Sequence, residues 1–579
     1  MAPLALALLT ELACSGPAPS PRLDRALLDQ REALHEAELR ELGIQADAAV
    51  AAEHWATAAV AIAAGHRLRP ERFAPHVPKV LEALPPSVAA ELASQVQSDR
   101  FAHYETEARR LALAERYATR GVPPDIERVT PSHGLAVLEA TRARYVEEVD
   151  HTDWFTAAHS HLQDVAAAWG VSLGPLIRTE PSPFPVLWKV GIDAGLPEPV
   201  VVAETTTAAL AALDRWSFPV WPAQIAEWTR GHDGVQVGIG VQIFDRSGSV
   251  VIGYPVPGSA AWDADVRQDD VIVGVGPARV ATMPAPAIDL VVDALHGPPG
   301  SSVRVALSRG GDEHAVDLVR RSVPAETVVG YSRGPDNAWV PWVDGRRGTA
   351  YVRIRALRPH SDEAFDELIG DTAPRSLVLD LRGNSGGDVQ AALEIADRFV
   401  ARGVLAELVG RTVRDPVPKA DEVPWNVAVP GHALETLSDS RKPRIVVLMD
   451  EGTGSAAELL AGVLRARASA VLVGVESFGK LSTQVLDSDD TLPVAWQITH
   501  GRLVIPGSPP MDGGLIPDHE IRLSPAEGAL VDALLAEREH LRAHRDGTPI
   551  RYTGPGSDGT LPPLDRDPQL EMALAVLRR

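Results

Sequence analysis

Arg444-Ile-Val-Val-Leu-Met-Asp450-Glu-Gly-Thr-Gly-Ser455-Ala-Ala-Glu458 runs an apolar strand into a glycine-containing turn and then into a helix that starts at Ser455. A strand with no polar alternation is buried on both faces, the kind found in an α/β sheet rather than in a half-solvated one. The turn sets the Ser455 hydroxyl at a helix N-terminus, where free N–H groups and the helix dipole favour developing negative charge. Ser455-x-x-Glu458 also reads as a capping box, in which the serine merely closes the helix.

Further compact strands flank this one: Ala350–Leu357, Ser376–Gly383 and Ala470–Gly474, separated by helical stretches such as 388–402 and 455–467. Strand and helix alternate from about 347 onward, which predicts an α/β architecture with a largely buried sheet. Two loops in it carry candidate chemistry. Leu379-Asp-Leu-Arg-Gly-Asn-Ser-Gly-Gly387 ends a buried strand in a glycine-rich turn able to present backbone N–H donors, or to serve only as a turn. Gly479-Lys480-Leu-Ser-Thr-Gln484 follows the strand at 470–474. Gly474 to Lys480 fits the spacing of a phosphate-binding loop, but Leu481 stands where a metal-binding Ser or Thr is needed. An extended segment follows instead of a helix, so nucleotide binding is not expected, and an exposed lysine on a strand is the plain alternative.

Upstream the texture differs. From Gly234 to about 322, short β-like runs alternate with turns, and one helix, Ala285 to Leu295, sets Ile288, Val291, Val292 and Leu295 on one face. That pattern predicts a small, partly open barrel. Residues 22–120 are rich in Ala, Leu, Glu and Arg, with Leu23, Leu27, Leu34, Leu39 and Leu42 at helical spacing, and are read as helices. Gly121-Val-Pro-Pro breaks them, and a helical pair is expected over 133–169.

The whole chain has 579 residues, too many for one core, and its 55 Lys and Arg face 78 Asp and Glu, a formal charge of −23. That balance argues against nucleic-acid binding, which needs a basic face. The single cysteine, Cys14, rules out an intrachain disulfide and a cysteine-based metal site. No H-E-x-x-H motif and no G-x-S-x-G elbow occurs, so zinc and Ser-His-Asp hydrolysis are poorly supported, and no cofactor is expected. Cys14 follows a short apolar run and precedes a Ser-Gly-Pro-Ala-Pro-Ser spacer, which resembles the start of a bacterial lipoprotein. No basic residue precedes the run, and Glu11 stands where an aliphatic residue is usual.

Taken together, the order and spacing of the three loops resemble the S41 family of carboxyl-terminal processing (tail-specific) proteases. There a DLRxNxGG turn, a serine turn of the form G-[ST]-[AG]-S-A-x-E, and an FGKxxxQ segment about twenty-five residues later follow one another. Arg142–Asp150, Leu213-Asp-Arg-Trp-Ser217, Gly513-Gly-Leu-Ile-Pro-Asp518 and Asp567-Pro-Gln-Leu-Glu-Met-Ala-Leu574 are similar to flanking motifs of that family. The resemblance implies a crotonase/ClpP-like α/β protease core, with Ser455 as nucleophile, Lys480 as general base and Gln484 orienting the amine. It implies oxyanion donors at the N–H groups of Gly386 and Ala456. It further implies that 233–322 is a PDZ domain. Gly238-Ile239-Gly240-Val241 would capture a peptide carboxylate there, and Ile288, Val291 and Val292 would line the groove. Gln268-Asp269-Asp270 departs from the usual Pro-Gly-Asp by losing a glycine.

The expected organisation is multidomain α+β. A lipoprotein-type leader occupies 1–20, a helical region of unassigned role 21–130, a helical region of the protease 131–232, the PDZ-like small β-barrel 233–322 and the peptidase core 323–579. Expected partners are proteins with exposed, apolar C-termini, and an adaptor or a second copy through 22–130. The expected location is the cell envelope, with the membrane reached by a lipid anchor alone. The rival reading is a catalytically inactive PDZ-containing scaffold.

Overall fold

The computed structural model describes residues 21–174, 183–225, 237–246, 249–283, 287–322, 326–343, 348–370, 374–400, 404–410, 443–489, 491–508, 513–544, 546–550 and 565–579. Cys14 and the segment around it lie outside them. Strands Thr349–Ile354, Ser376–Asp380, Arg444–Met449 and Val471–Gly474 pair in parallel one after another. Val328–Gly330 adds antiparallel at one edge and His519–Glu520 parallel at the other, completing a six-stranded sheet. The unbroken apolar runs are explained by cover on both faces. Leu377, Leu379, Ile445, Val447 and Met449 face one layer with Leu393, Leu459, Leu460 and Val463 from helices Val389–Asp397 and Ala456–Ala468. Their alternates Val378, Val446 and Leu448 face the other.

That second layer corrects the expected domain division. Leu23, Leu27 and Leu34, at the start of helix Arg25–Ala51, are buried in it beside Val531 of helix Pro525–Glu539 and Leu570 of helix Pro568–Leu577. The first part of that helix thus belongs to the core of the six-stranded sheet. The helices from Trp55 to Arg116 pack around a further core with Ile62, Phe73, Leu81 and Leu92, which also takes Leu39, Ala46 and Ala49 from the far part of helix Arg25–Ala51. Apolar spacing alone shows that a helix has a buried stripe, not which layer takes it.

Polar contacts pin the same helix. Arg31 Nε lies 2.5 Å from Glu527 Oε1, and His35 Nε2 lies 2.9 Å from Glu527 Oε2. Burial by itself would raise the Glu527 carboxyl, but hydrogen bonds from His35 and Arg31 outweigh it and bring it down to about 2. A carboxyl held below its unfolded value, about 4.3, stabilises the fold fully above that value and loses its contribution as pH falls towards 2. Arg31→Ala is expected to cost about 3 kcal/mol at pH 7. Thermal unfolding of wild type and variant should converge as pH drops through that window.

A second sheet carries the lysine loop. Ala495–Val504 pairs antiparallel with Phe218–Val220, Glu407–Val409 and Ser482–Ser488. Trp496 and Ile498 of the long strand, with Val494 just before it, pack on the helices between Pro131 and Ala211.

Residues 237–322 fold around a separate core. Strands Val241–Arg246, Ser249–Pro255, Val271–Val275, Ser302–Arg309 and Asp312–Val319 form an antiparallel sheet, and helix Ala287–Leu295 covers it. The turn that lost its glycine survives with Asp269 at φ 66°. Aspartate tolerates that left-handed conformation better than most residues. Among the described residues, no helix is long and apolar enough to cross a membrane.

Candidate active site

Asp380, at the end of its strand, and Asp450, just past the neighbouring one, begin two turns that face each other. Asp450 Oδ1 accepts hydrogen bonds from the N–H groups of Gly383 (2.9 Å) and Gly452 (3.0 Å). Thr453 Oγ1 donates to the Leu381 carbonyl at 2.9 Å, and Gly454 N–H to the Asn384 carbonyl at 2.9 Å. The two loops are therefore held as one piece. Behind them the buried Arg382 guanidinium joins Asp380, Asp567 and Gln569, which accounts for the closing Asp567-Pro-Gln motif.

Ser455 stands at φ 54°, ψ −121°. A plain N-cap has an extended backbone, so this conformation exceeds what capping needs. Strain of this kind persists only where the surroundings impose it. Here a side chain on Gly386 (φ 105°) would sit 2.7 Å from Ser455 Cβ and 2.9 Å from Ala456 N, so only glycine fits opposite the serine. The capping-box reading is partly realised, since Ser455 N–H donates to Glu458 Oε2 at 2.9 Å.

Glu458 does more than close a box. Its carboxylate is buried and also accepts from Gly479 N–H (2.7 Å), Lys480 N–H (2.8 Å) and the Ser477 hydroxyl. Ser477 Oγ in turn accepts from Leu515 N–H at 2.7 Å, binding in the Gly513–Asp518 motif. One side chain thus ties the serine turn to the lysine loop.

Lys480 is half-buried, with Nζ 4.4 Å from the centroid of the Trp216 ring. Burial, then the charge of Arg215, push its amine below the ordinary lysine range, and Asp214 opposes them weakly. No hydrogen bond joins Lys480 Nζ to Ser455 Oγ. Gln484 does not reach the lysine either: its amide donates to Ser482 Oγ (2.9 Å) and Thr499 Oγ1 (3.2 Å). The bulge between Thr483 and Gln484 sets the side chain over the second sheet, and strand neighbours claim the amide. Of the two expected oxyanion donors, Ala456 N–H has no partner among the described residues. Gly386 N–H donates instead to Asn384 Oδ1 at 2.9 Å.

In the small unit, Gly238, Ile239 and Gly240 are buried, and the N–H groups of Ile239 and Gly240 have no hydrogen-bond partner among the described residues. Val241–Arg246 is an edge strand, paired only with Ser249–Pro255. Val241 and Ile288 are half-buried against the core and Val292 is half-buried, whereas Val291 is wholly within the core rather than free to line a groove.

Residues 348–521 match the family model described as Peptidase family S41. The chain carries an S41 peptidase domain. Its bounds enclose Gly386, Ser455, Ala456, Lys480 and Gln484. The chain is 31% identical to a chloroplastic C-terminal processing peptidase of Tetradesmus obliquus, over 47% of this chain and 58% of that protein. It is 27% identical to a carboxy-terminal-processing protease of Bartonella bacilliformis, over 60% and 76% respectively. It is 28% identical to the carboxy-terminal processing protease CtpA of Bacillus subtilis, over 44% and 49%. The matches thus span between about half and three quarters of the length of these relatives. The solved structure of a photosystem II D1 C-terminal processing protease aligns over 71% of this chain and 98% of its own at 22% identity, with a TM-score of 0.37.

Two residues that shape this candidate site escaped the sequence reading. Glu458 was visible only as a capping-box partner, because one residue type serves both purposes. Trp216 lies outside the S41 match, in the loop before Phe218–Val220, where its carbonyl accepts from Gln497 Nε2 at 2.8 Å. Its place in the Leu213–Ser217 motif was the only signal.

Proposed function

We propose that this protein is a serine endopeptidase in which Ser455 attacks and Lys480 is the base, acting on proteins delivered by their C-terminal tails. The observation that carries the reading is the strained Ser455 backbone at a helix N-terminus, tied through one buried carboxylate to a lysine in a desolvated pocket. Neutral Lys480 swings from Trp216 and takes the Ser455 proton as Oγ bonds to the scissile carbonyl carbon. The C–N bond then breaks, the leaving amine takes the proton back, and water attacks the acyl-enzyme with the same lysine as base. Catalytic hydrogen bonds often form only with substrate in place. Ala456 N–H supports the oxyanion, joined by Gly386 N–H once Asn384 releases it.

The unit at 237–322 resembles a PDZ domain. Two free amides at Ile239 and Gly240, beside an open strand edge, suit a terminal carboxylate and an added strand. An apolar C-terminus fits the half-buried Val241, Ile288 and Val292. The cell-envelope location rests on the leader around Cys14, and an adaptor or second copy is assigned to the remaining N-terminal helices.

The separation of Lys480 from Ser455 also suits a peptide-binding protein without turnover. A disordered test protein ending in apolar residues, and the same protein ending in acidic ones, separates the two readings. Cleavage of the first, slower for the second and absent with Ser455→Ala, supports a tail-directed peptidase. Binding without cleavage supports the scaffold.

A further inference from the structure

Arg215 is an exposed guanidinium without an ion-pair partner among the described residues, in a chain of excess acid. Other arginines bordering the second sheet are paired, Arg144 with Asp487 and Arg502 with Glu147, each at 2.7 Å. Asp214 beside it is spent on the loop, accepting from the N–H groups of Trp216 (2.7 Å) and Ser217 (2.8 Å). The Arg215 head lies instead against two rings, 4.5 Å from the Trp216 centroid and 4.8 Å from that of Phe478. The rings meet edge to face at 5.6 Å. Stacking of this kind fixes a guanidinium plane while leaving its N–H donors outward.

The position is close to the chemistry. Phe478 N–H donates to the Thr453 carbonyl at 2.9 Å, and a Cβ on Gly454 would sit 3.4 Å from Phe478 Cβ, so that ring overlies the residue before Ser455. Trp216 carries Lys480 on the same indole that carries Arg215.

Resting on the peptidase reading above, we propose that Arg215 is a specificity residue that binds a substrate carboxylate close to the scissile bond. A prefixed, unpaired guanidinium is suited to an acidic side chain or to the carboxylate of a short tail. A basic residue there would meet the Arg215 guanidinium and be rejected.

Matched peptides with Glu, Gln or Lys scanned through the two positions on either side of the cleaved bond, each with a free or an amidated C-terminus, test this. The readout is the ratio of kcat/KM for Glu to that for Gln, in which any change in Lys480 basicity cancels. Wild type should favour Glu about five- to tenfold at one position. Arg215→Gln should bring the ratio to about one, Arg215→Lys should retain part of it, and Arg215→Glu should favour Lys. A preference lost on amidation assigns the site to a chain terminus, and one that survives assigns it to a side chain. A wild-type ratio at or below one, or a ratio unmoved by Arg215→Gln, overturns the proposal while leaving the peptidase reading intact. Absence of any cleavage by wild type overturns both.

Discussion

Lys480→Ala and Ser455→Ala are each expected to lower kcat/KM by at least about a thousandfold, with little change in thermal unfolding. The lysine is effective only as a neutral amine. Burial against Trp216 and the nearby Arg215 charge both favour that form and outweigh the opposing charge of Asp214. Activity should therefore rise as pH increases through a Lys480 pKa below the ordinary lysine value. The rise belongs to the lysine if it is absent from residual turnover in Lys480→Ala. Lys480→Arg should be as inactive as the alanine variant, since a guanidinium stays charged. Serine and lysine variants should not add, because each removes the same proton transfer. Peptidase activity persisting in both single variants would overturn the assignment.

Glu458→Ala is the second large effect, and here the fold suffers with the activity. The Glu458 carboxylate accepts from four donors, the N–H groups of Ser455, Gly479 and Lys480 and the Ser477 hydroxyl. Leaving such donors buried and unpaired costs about 1–3 kcal/mol each, so a loss of about 4 kcal/mol or more is expected. Glu458→Gln is the sharper variant. Three of the four neighbours are N–H groups that can only donate, so whichever way the amide turns its NH2 faces at least one of them, despite nearly unchanged volume. The glutamine variant should lose most of the stability that the alanine variant loses and should be as poor a catalyst. A glutamine variant of wild-type stability would show that Glu458 acts only as a helix cap.

The parallel sheet was legible because strands such as Arg444–Met449 are apolar at every position after the first, a pattern that only two-sided burial explains. Ser455 and Lys480 were legible by spacing, each ambiguous alone. The state of the site was not. Whether Lys480 faces Ser455 or Trp216 depends on side-chain rotation and on a loop far away in sequence. The Gly386 amide likewise depends on whether Asn384 bends back to it. Gln484 was assigned from its distance along the chain, and a bulge redirected it. The docking of helix Arg25–Ala51 depended on a partner surface made by distant residues.

That docking has a bearing on biosynthesis. Leu27 and Leu34 share one layer with Leu570 and Met572, and Arg566 pairs with Asp24 at 2.5 Å across 542 positions. A layer closed by such remote segments cannot shut until the ribosome has made both. Strands emerging earlier stay bare on that side meanwhile, and contacts of such long range form slowly. On the peptidase reading proposed above, the back of the sheet that carries Ser455 closes only once translation has passed helix Pro568–Leu577, and cutting does not begin before that point.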